Sequence, residues 1–377
     1  MNFKMVQLNQ LCSWVDERVA LSSLDCDTYV STENMLKNRG GICLASSVPE
    51  GGNAQAFKCG DILISNIRPY FKKIWMAKCS GGCSNDVLVL RSKPDVNALW
   101  LYYVLSSDDF FDYDTANSGG GKMPRGSKSA IMKYEVTVPD IEVQQKMAEV
   151  LRSYDVAIGN NRCRIALLEK MARELYRERF VRRKRRDSQV SIYTLATVQY
   201  GYAFDAKCFN TRNDGLPIAR IRNIPDGWSN DYTSETAPGS YRITNGDLIV
   251  GMDGEFHINL WCGGDAYLVQ RSCCFRPFDS KLRGYVMEAI RDPVKYFEGA
   301  AMGATVGHLG KKDIDTIQVY APTPDEVEVF ANMYDERLSL ALQNRNLARQ
   351  RDRLLPRLMS GKIDLDKLVK GEEVENG

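Results

Sequence analysis

Histidine is the scarcest chemical resource in this chain: His257 and His308 are the only two in 377 residues. Histidine-based acid–base chemistry therefore has few places to act. Nucleotide loops are missing too. No GxxxxGK[ST] stretch cradles a triphosphate, and no GxGxxG joins a strand to a helix. There is no GxSxG elbow, HExxH pair or EF-hand loop, and no Asn/Asp-Pro-Pro-Tyr/Phe motif of the kind amino-methyltransferases use. No apolar run approaches the roughly 18 residues that span a bilayer, which predicts no membrane. Charge of one sign is also lacking. The 50 Lys+Arg and 48 Asp+Glu leave a net charge of +2, which at face value argues against a strongly basic nucleic-acid binder.

The 11 cysteines are odd in number and scattered. No apolar signal segment opens the sequence, so the expectation is a cytoplasmic protein with free thiols. The Cys79-Ser-Gly-Gly-Cys83 spacing suits half a zinc site, but no second pair follows at finger spacing; no metal is expected. What the chain does have is 44% hydrophobic residues, enough for buried cores in two or three domains at about 100–200 residues each.

The sequence repeats itself. Gly60-Asp61-Ile62-Leu63-Ile64 returns as Gly246-Asp247-Leu248-Ile249-Val250, an offset of 186. The same offset takes Trp75 to Trp261, Phe111 to Phe297 and Gly121 to Gly307. Leu8 and Leu11 map to Ile192 and Leu195 at 184, and Val136 and Pro139 to Val319 and Pro322 at 183. Each half opens with short β-rich runs and Gly-rich loops. Strands are expected at 62–64, 87–90 and 135–138, and again at 248–250, 273–275 and 316–320. Short helices are expected at 99–105 and 286–290. Gly299, Gly303 and Gly307 read as a loop.

After each half's final proline the period changes. Met147, Leu151, Tyr154, Ile158, Asn161, Ile165, Leu168, Ala172 and Leu175 alternate in steps of four and three, a heptad seam. Gly159 inside it costs roughly 1 kcal/mol relative to Ala. In the second half Met333, Leu340, Leu347 and Leu354 recur every seven residues, with Asn344 in register. Pro356 is expected to interrupt this helix or to start a short new one, with Gly361 as its C-cap. About 40 helical residues make a rod of roughly 60 Å. Neither helix has a seam partner within its own half, so the two are expected to pair antiparallel. Asn161 and Asn344 are repeat equivalents; they are either ordinary polar interruptions or register-fixing seam residues. The expected fold class is α+β: two mixed α/β regions joined by two long antiparallel coiled-coil helices, in a pseudo-twofold repeat. The expected boundaries are 1–139, 140–186, 187–322, 323–368 and an acidic tail at 369–377.

The loops of both halves mix cations with amides and aromatics. In the first half these are Asn66, Arg68, Tyr70, Lys72 and Lys73, then Lys122, Arg125 and Lys128. In the second they are Tyr202, Arg220, Arg222, Asn223, Gln270, Arg271, His308, Lys311 and Lys312. Arg and Lys can bond guanine O6/N7, Asn and Gln adenine N6/N7, and all can contact phosphates. Such loops also occur as plain solvated surface; their pairing in both repeats favours a ligand-facing edge. The balanced net charge hides segregation: residues 141–186 hold 13 Lys/Arg against 6 Asp/Glu. The run Arg182-Arg183-Lys184-Arg185-Arg186 reads either as a solvated helix end or as a contact to DNA backbone.

Several segments resemble the specificity subunit of type I restriction-modification systems: Gly201-Tyr202-Ala203-Phe204, Gly246-Asp247-Leu248-Ile249-Val250, residues 167–176 (LLEKMARELY) and residues 354–363 (LLPRLMSGKI). The resemblance reaches to about Leu368. It implies two target-recognition domains, each reading half of a bipartite sequence in double-stranded DNA. It implies a helical spacer that docks modification subunits, expected to be two, alongside a restriction subunit. It further implies no active site and no cofactor here, with S-adenosylmethionine and ATP/Mg on the partner subunits. The first half lacks a counterpart of Gly201–Phe204, and its 122–128 loop differs in sequence from 307–312. The alternatives are the specificity component of a related methyltransferase-restriction enzyme, or a coiled-coil scaffold without sequence readout.

Overall fold

A computed structural model of the chain describes residues 4–182, 189–300 and 307–359. Most of the basic run (183–186), Gly303, Gly361 and the acidic tail lie outside the described residues. The chain divides into two compact units. One takes the residues up to Val156 together with those from Leu347 onward; the other is Ala157–Asn346.

Each unit is built around the same four-stranded antiparallel sheet. In the first, Ile62–Ser65 lies between Ile74–Met76 and Val87–Ser92, with Cys12–Trp14 on the outer side of Val87–Ser92. In the second, Leu248–Gly251 lies between Ile258–Leu260 and Ser272–Pro277, with Ala196–Tyr200 outermost. A two-stranded ribbon closes each: Lys4–Gln7 with Glu135–Val138, and Gln189–Ser191 with Gln318–Tyr320. The central strands are apolar without alternation because both faces are covered. Ile62, Ile64, Leu88 and Leu90 pack with Trp100, Phe110 and Leu151. Leu63, Val87 and Val89 pack with Val30, Met35 and Phe57 instead. The second unit divides in the same way. Leu248 and Val250 join Tyr285, Val286 and Ile290, while Ile249 joins Trp261 and Leu268.

The duplicated Gly-Asp is one turn made twice. Gly60 (φ 92°) and Gly246 (φ 84°) take the left-handed conformation that glycine tolerates best. Asp61 Oδ2 accepts the Lys58 N–H at 2.7 Å, and Asp247 Oδ2 that of Thr244 at 2.9 Å. The match of Trp75 to Trp261, by contrast, is not a structural equivalence. Gly60 N–H donates to the Ala77 carbonyl, and Gly246 N–H to the carbonyl of Trp261. Strand register agrees, with Ile62 facing Met76 and Leu248 facing Leu260. The connection after the strand runs over 66–73 in the first repeat and 252–257 in the second. That two-residue difference moves each tryptophan to a different place: Trp75 packs edge-on to Phe57, while Trp261 donates Nε1–H to the Gly264 carbonyl.

The long helices are Ile141–Tyr176, continued by a wider π turn over Arg177–Arg182, and Pro324–Met359. Thr323 and Glu326 cap the second reciprocally: the carboxylate accepts the Thr323 N–H at 2.9 Å and the Thr323 hydroxyl accepts the Glu326 N–H. Pro324 then starts the helix, where its missing N–H costs nothing. In the first unit Met147 and Leu151 are buried; Tyr154, Leu347 and Leu354 are half-buried. In the second unit Ile158, Asn161, Ala172 and Leu340 are buried; Ile165, Leu168, Leu175, Met333 and Asn344 are half-buried. Leu167 and Met171, off the seam, are exposed. Within the second unit the helix segments run antiparallel, with Asn161 bonded to Gln343, Arg164 to Glu336 and Glu169 to Arg337. Asn161 thus bonds Gln343, while Asn344 Oδ1 is buried without a partner among the described residues.

Two helices exceed expectation. Pro356 does not interrupt the second long helix, which runs on to Met359. Pro356 falls in the last turn, and Leu355 and Leu358 are buried in the first unit's core, so packing holds that turn despite the lost hydrogen bond. Leu282–Ala300 replaces the short 286–290 helix and takes in Pro293 and Gly299. Its buried stripe of Tyr285, Val286, Ala289, Ile290 and Val294 supplies the packing that local propensity lacks. Gly299 is therefore helical, and Thr316 closes the short helix Lys311–Asp315 rather than starting a strand.

Candidate nucleic-acid interface

The connection after each central strand meets the loop before each closing strand. Three backbone hydrogen bonds in the first unit hold it: Asn66 N–H to the Asp86 carbonyl, Arg68 N–H to that of Pro124, and Gly126 N–H to that of Asn66. In the second unit the same three are Met252 to Arg271, Gly254 to Gly307, and Leu309 to Met252. Antiparallel bridges Ile67–Arg125 and Asp253–His308 complete the match. The loops 122–128 and 307–312, dissimilar in sequence, are therefore one structural element. Arg125 corresponds to His308, Lys128 to Lys311, Asp86 to Arg271, and Ile67 to Asp253. Arg68 (φ 52°) corresponds to Gly254 (φ 70°), both left-handed.

The first cluster gathers Asn66, Arg68 and Arg125. Arg125 pairs with Asp86 at 3.0 Å with 60% of its side chain exposed. Asn66 Oδ1 and Arg68 Nε are buried without partners among the described residues. Tyr70 is exposed against Phe71, and Lys122 is exposed. Lys128 opens the short helix Lys128–Ile131, capped by Ser127, and lies 5.8 Å from the Trp14 ring centroid. Lys72 and Lys73 are directed elsewhere. Lys72 pairs with Asp108 at 2.5 Å, and the Lys73 ammonium donates to the Thr32 carbonyl. Burial, together with the neighbouring Lys37 charge, pulls the Lys73 pKa down. Both are half-buried and internally engaged, so the structure does not gather them with Asn66, Arg68 and Arg125.

In the second unit Asp253, itself 12% exposed at the side chain, accepts from Arg271 and lies 2.5 Å from His308 Nδ1. Burial works against its charge, but the bonds from His308 and Arg271 prevail and hold its carboxyl below the usual range. Gln270 is exposed, and its N–H donates to the Tyr202 carbonyl. Tyr202 packs against Phe204 and Tyr241. Lys311 and Lys312 are exposed in the first turn of a short helix. Arg220, Arg222 and Asn223 form a separate group. Asn223 Oδ1 accepts the Arg220 N–H, Arg222 pairs with Asp231 at 2.6 Å, and the Arg220 guanidinium sits 5.1 Å from the Phe209 centroid. His257 is half-buried beside Glu255. No group of three metal-ligating side chains occurs among the described residues, and none of their helices is long and apolar enough to cross a membrane. Asp86 and Asp253, the carboxylates that organise the two clusters, are neither cations nor amides and are not among the expected site residues. Their signal is positional only, since each flanks a strand of the central sheet.

These features define an internally duplicated α+β protein with a matched basic loop cluster in each repeat. Residues 27–170 match the family described as "Type I restriction modification DNA specificity domain". The chain is 28% identical over 200 residues to the type I restriction enzyme EcoBI specificity subunit of Escherichia coli, covering 50% of this chain and 42% of that one. It is 22% identical over 308 residues to the MjaIX specificity subunit of Methanocaldococcus jannaschii, covering 73% and 71%. The match thus spans less than half the length of the EcoBI subunit. In fold it is similar to the crystal structure of the type I restriction-modification S subunit from M. genitalium, with a TM-score of 0.55 at 14% identity over 95% of this chain and 96% of that one. Over these stretches the chain is similar to type I specificity subunits.

Proposed function

We propose that this chain is the DNA sequence-specificity subunit of a type I restriction-modification complex in a prokaryotic cytoplasm. Each repeat reads one half of a bipartite duplex target. The long helices set the half-site spacing and carry the modification subunits, expected to be two, with the restriction subunit joining that assembly. The chain itself is non-catalytic. S-adenosylmethionine and ATP/Mg belong to the partners, which is why no nucleotide loop or methyltransferase motif occurs in this sequence. The observation that carries this reading is the repeated backbone geometry that sets Arg125 and His308, and Lys128 and Lys311, at equivalent positions of two separate units. A single-site binder has no need of the second copy. Phosphate contacts shared with partners also suit a chain of net charge +2. Methylome sequencing of the host with and without the gene tests it. The expected result is a two-part adenine-methylated motif that disappears with the gene; an unchanged methylome refutes it.

A further inference from the structure

The two loop clusters share a backbone but not a charge pattern. At the three equivalent positions the first repeat carries Ile67, Asp86 and Arg125; the second carries Asp253, Arg271 and His308. The carboxylate has moved from one strand flank to the other, yet in both repeats it grips the residue of the 125/308 position. Asp86 holds Arg125 at 3.0 Å, and Asp253 holds His308 at 2.5 Å while also accepting from Arg271. The gripped groups face outward, with side-chain exposures of 60% for Arg125, 59% for His308 and 67% for Arg271, whereas Asp253 is at 12%. An imidazole whose Nδ1 is bonded to a carboxylate carries its proton there and turns Nε2 away from that partner. Without the carboxylate, an exposed side chain samples more rotamers, and holding the one that meets a given base edge costs more entropy.

We propose that Asp86 and Asp253 are positioning residues for half-site discrimination: each fixes the outward cation or imidazole of its own repeat against base edges in the DNA major groove. This rests on the DNA-recognition reading above. The pairs Asp86–Arg125 and Asp253–His308 then do the same work with different donor and acceptor patterns. One guanidinium suits guanine O6/N7; the imidazole Nε2 beside Arg271 presents a different set. Equivalent backbones thereby read unlike half-sites.

The test uses the complex of this chain with its modification subunits, binding a random-sequence duplex library whose bound fraction is sequenced. The wild type is expected to enrich a two-part motif. With Asp253→Asn, which keeps shape and removes charge, discrimination in one half should fall about 10-fold or more while the other half is retained; Asp86→Asn should do the converse. His308→Ala should weaken discrimination in the same half as Asp253→Asn, and the double variant should lose no more than Asp253→Asn alone, a non-additivity that general loosening of the domain does not produce. Asp253→Glu should restore part of the preference. Full preference in both Asn variants, or additive losses in the double variant, overturns the positioning roles while leaving the DNA reading intact. A wild-type complex that enriches no sequence overturns both.

Discussion

Asp61 receives both Nε and Nη2 of Arg91 at 2.8 Å, while its repeat counterpart Asp247 reaches its nearest cation, Arg283, only at 3.9 Å. The turn is duplicated; the ion pair is not. Asp61 has a 3% exposed side chain, so neutralising it leaves Arg91 with one carboxylate, Glu17, in place of two. Asp61→Asn is expected to destabilise the first unit by about 3 kcal/mol. Asp247→Asn should cost about 1 kcal/mol, since mainly its turn bond weakens. Urea midpoints of the two variants check the order.

Gly159 lies inside the first long helix, and a Cβ built there meets nothing within 4 Å. Gly159→Ala should therefore stabilise the protein by about 1 kcal/mol, because the helix gains propensity without a clash. A higher unfolding midpoint at unchanged slope is the expected result; a lower one indicates that the site needs glycine.

Asp114 is buried, and neither carboxylate oxygen has a partner among the described residues. Burial raises its pKa from 3.8 to about 6. The folded state thus holds the proton more tightly than the unfolded chain. The penalty is absent below about pH 4, grows as pH rises to about 6, and is fully present above, of order 2–3 kcal/mol. Asp114→Asn should gain on wild type as pH rises from 4 to 7. Paired urea titrations at those pH values test this, and a pH-independent difference refutes it.

Arg337, buried at 9% exposure, donates to Glu169 and to Asn259 Oδ1, each at 2.6 Å. It ties both long helices to the second unit's central sheet. Arg337→Met should keep the stem packing but strand the acceptors, costing about 1–3 kcal/mol. Tm should fall accordingly, whereas Glu336→Gln, which weakens only an exposed pair with Arg164, should change it little.

Much of the architecture was legible. The Gly-Asp pair marks the same turn twice, and the apolar runs at 62–64 and 248–250 form the central strands. Steps of three and four put Leu151, Ile158 and Leu340 inside and leave Leu167 and Met171 outside. Matching letters misled where loop length changed, as with Trp75 and Trp261. Dissimilar letters hid an equivalence at Arg125 and His308. Helix ends near proline were misjudged at Pro293 and Pro356, because burial of neighbours such as Ile290 and Leu355 overrides local propensity.

The sequence by itself determined what repeats and periodicity encode: two copies of one plan, their strands and their long helices. Those are local properties, set by side-chain spacing against the helical and pleated periods. Tertiary structure alone decided which loop residues share a cluster, which carboxylate grips which cation, and which helical residues face one another. Such pairs join residues far apart in the chain, 55 apart for Asp253 and His308 and 172 for Arg164 and Glu336. Strand pairing brings the first pair within hydrogen-bonding distance, and antiparallel packing of the two long helices the second.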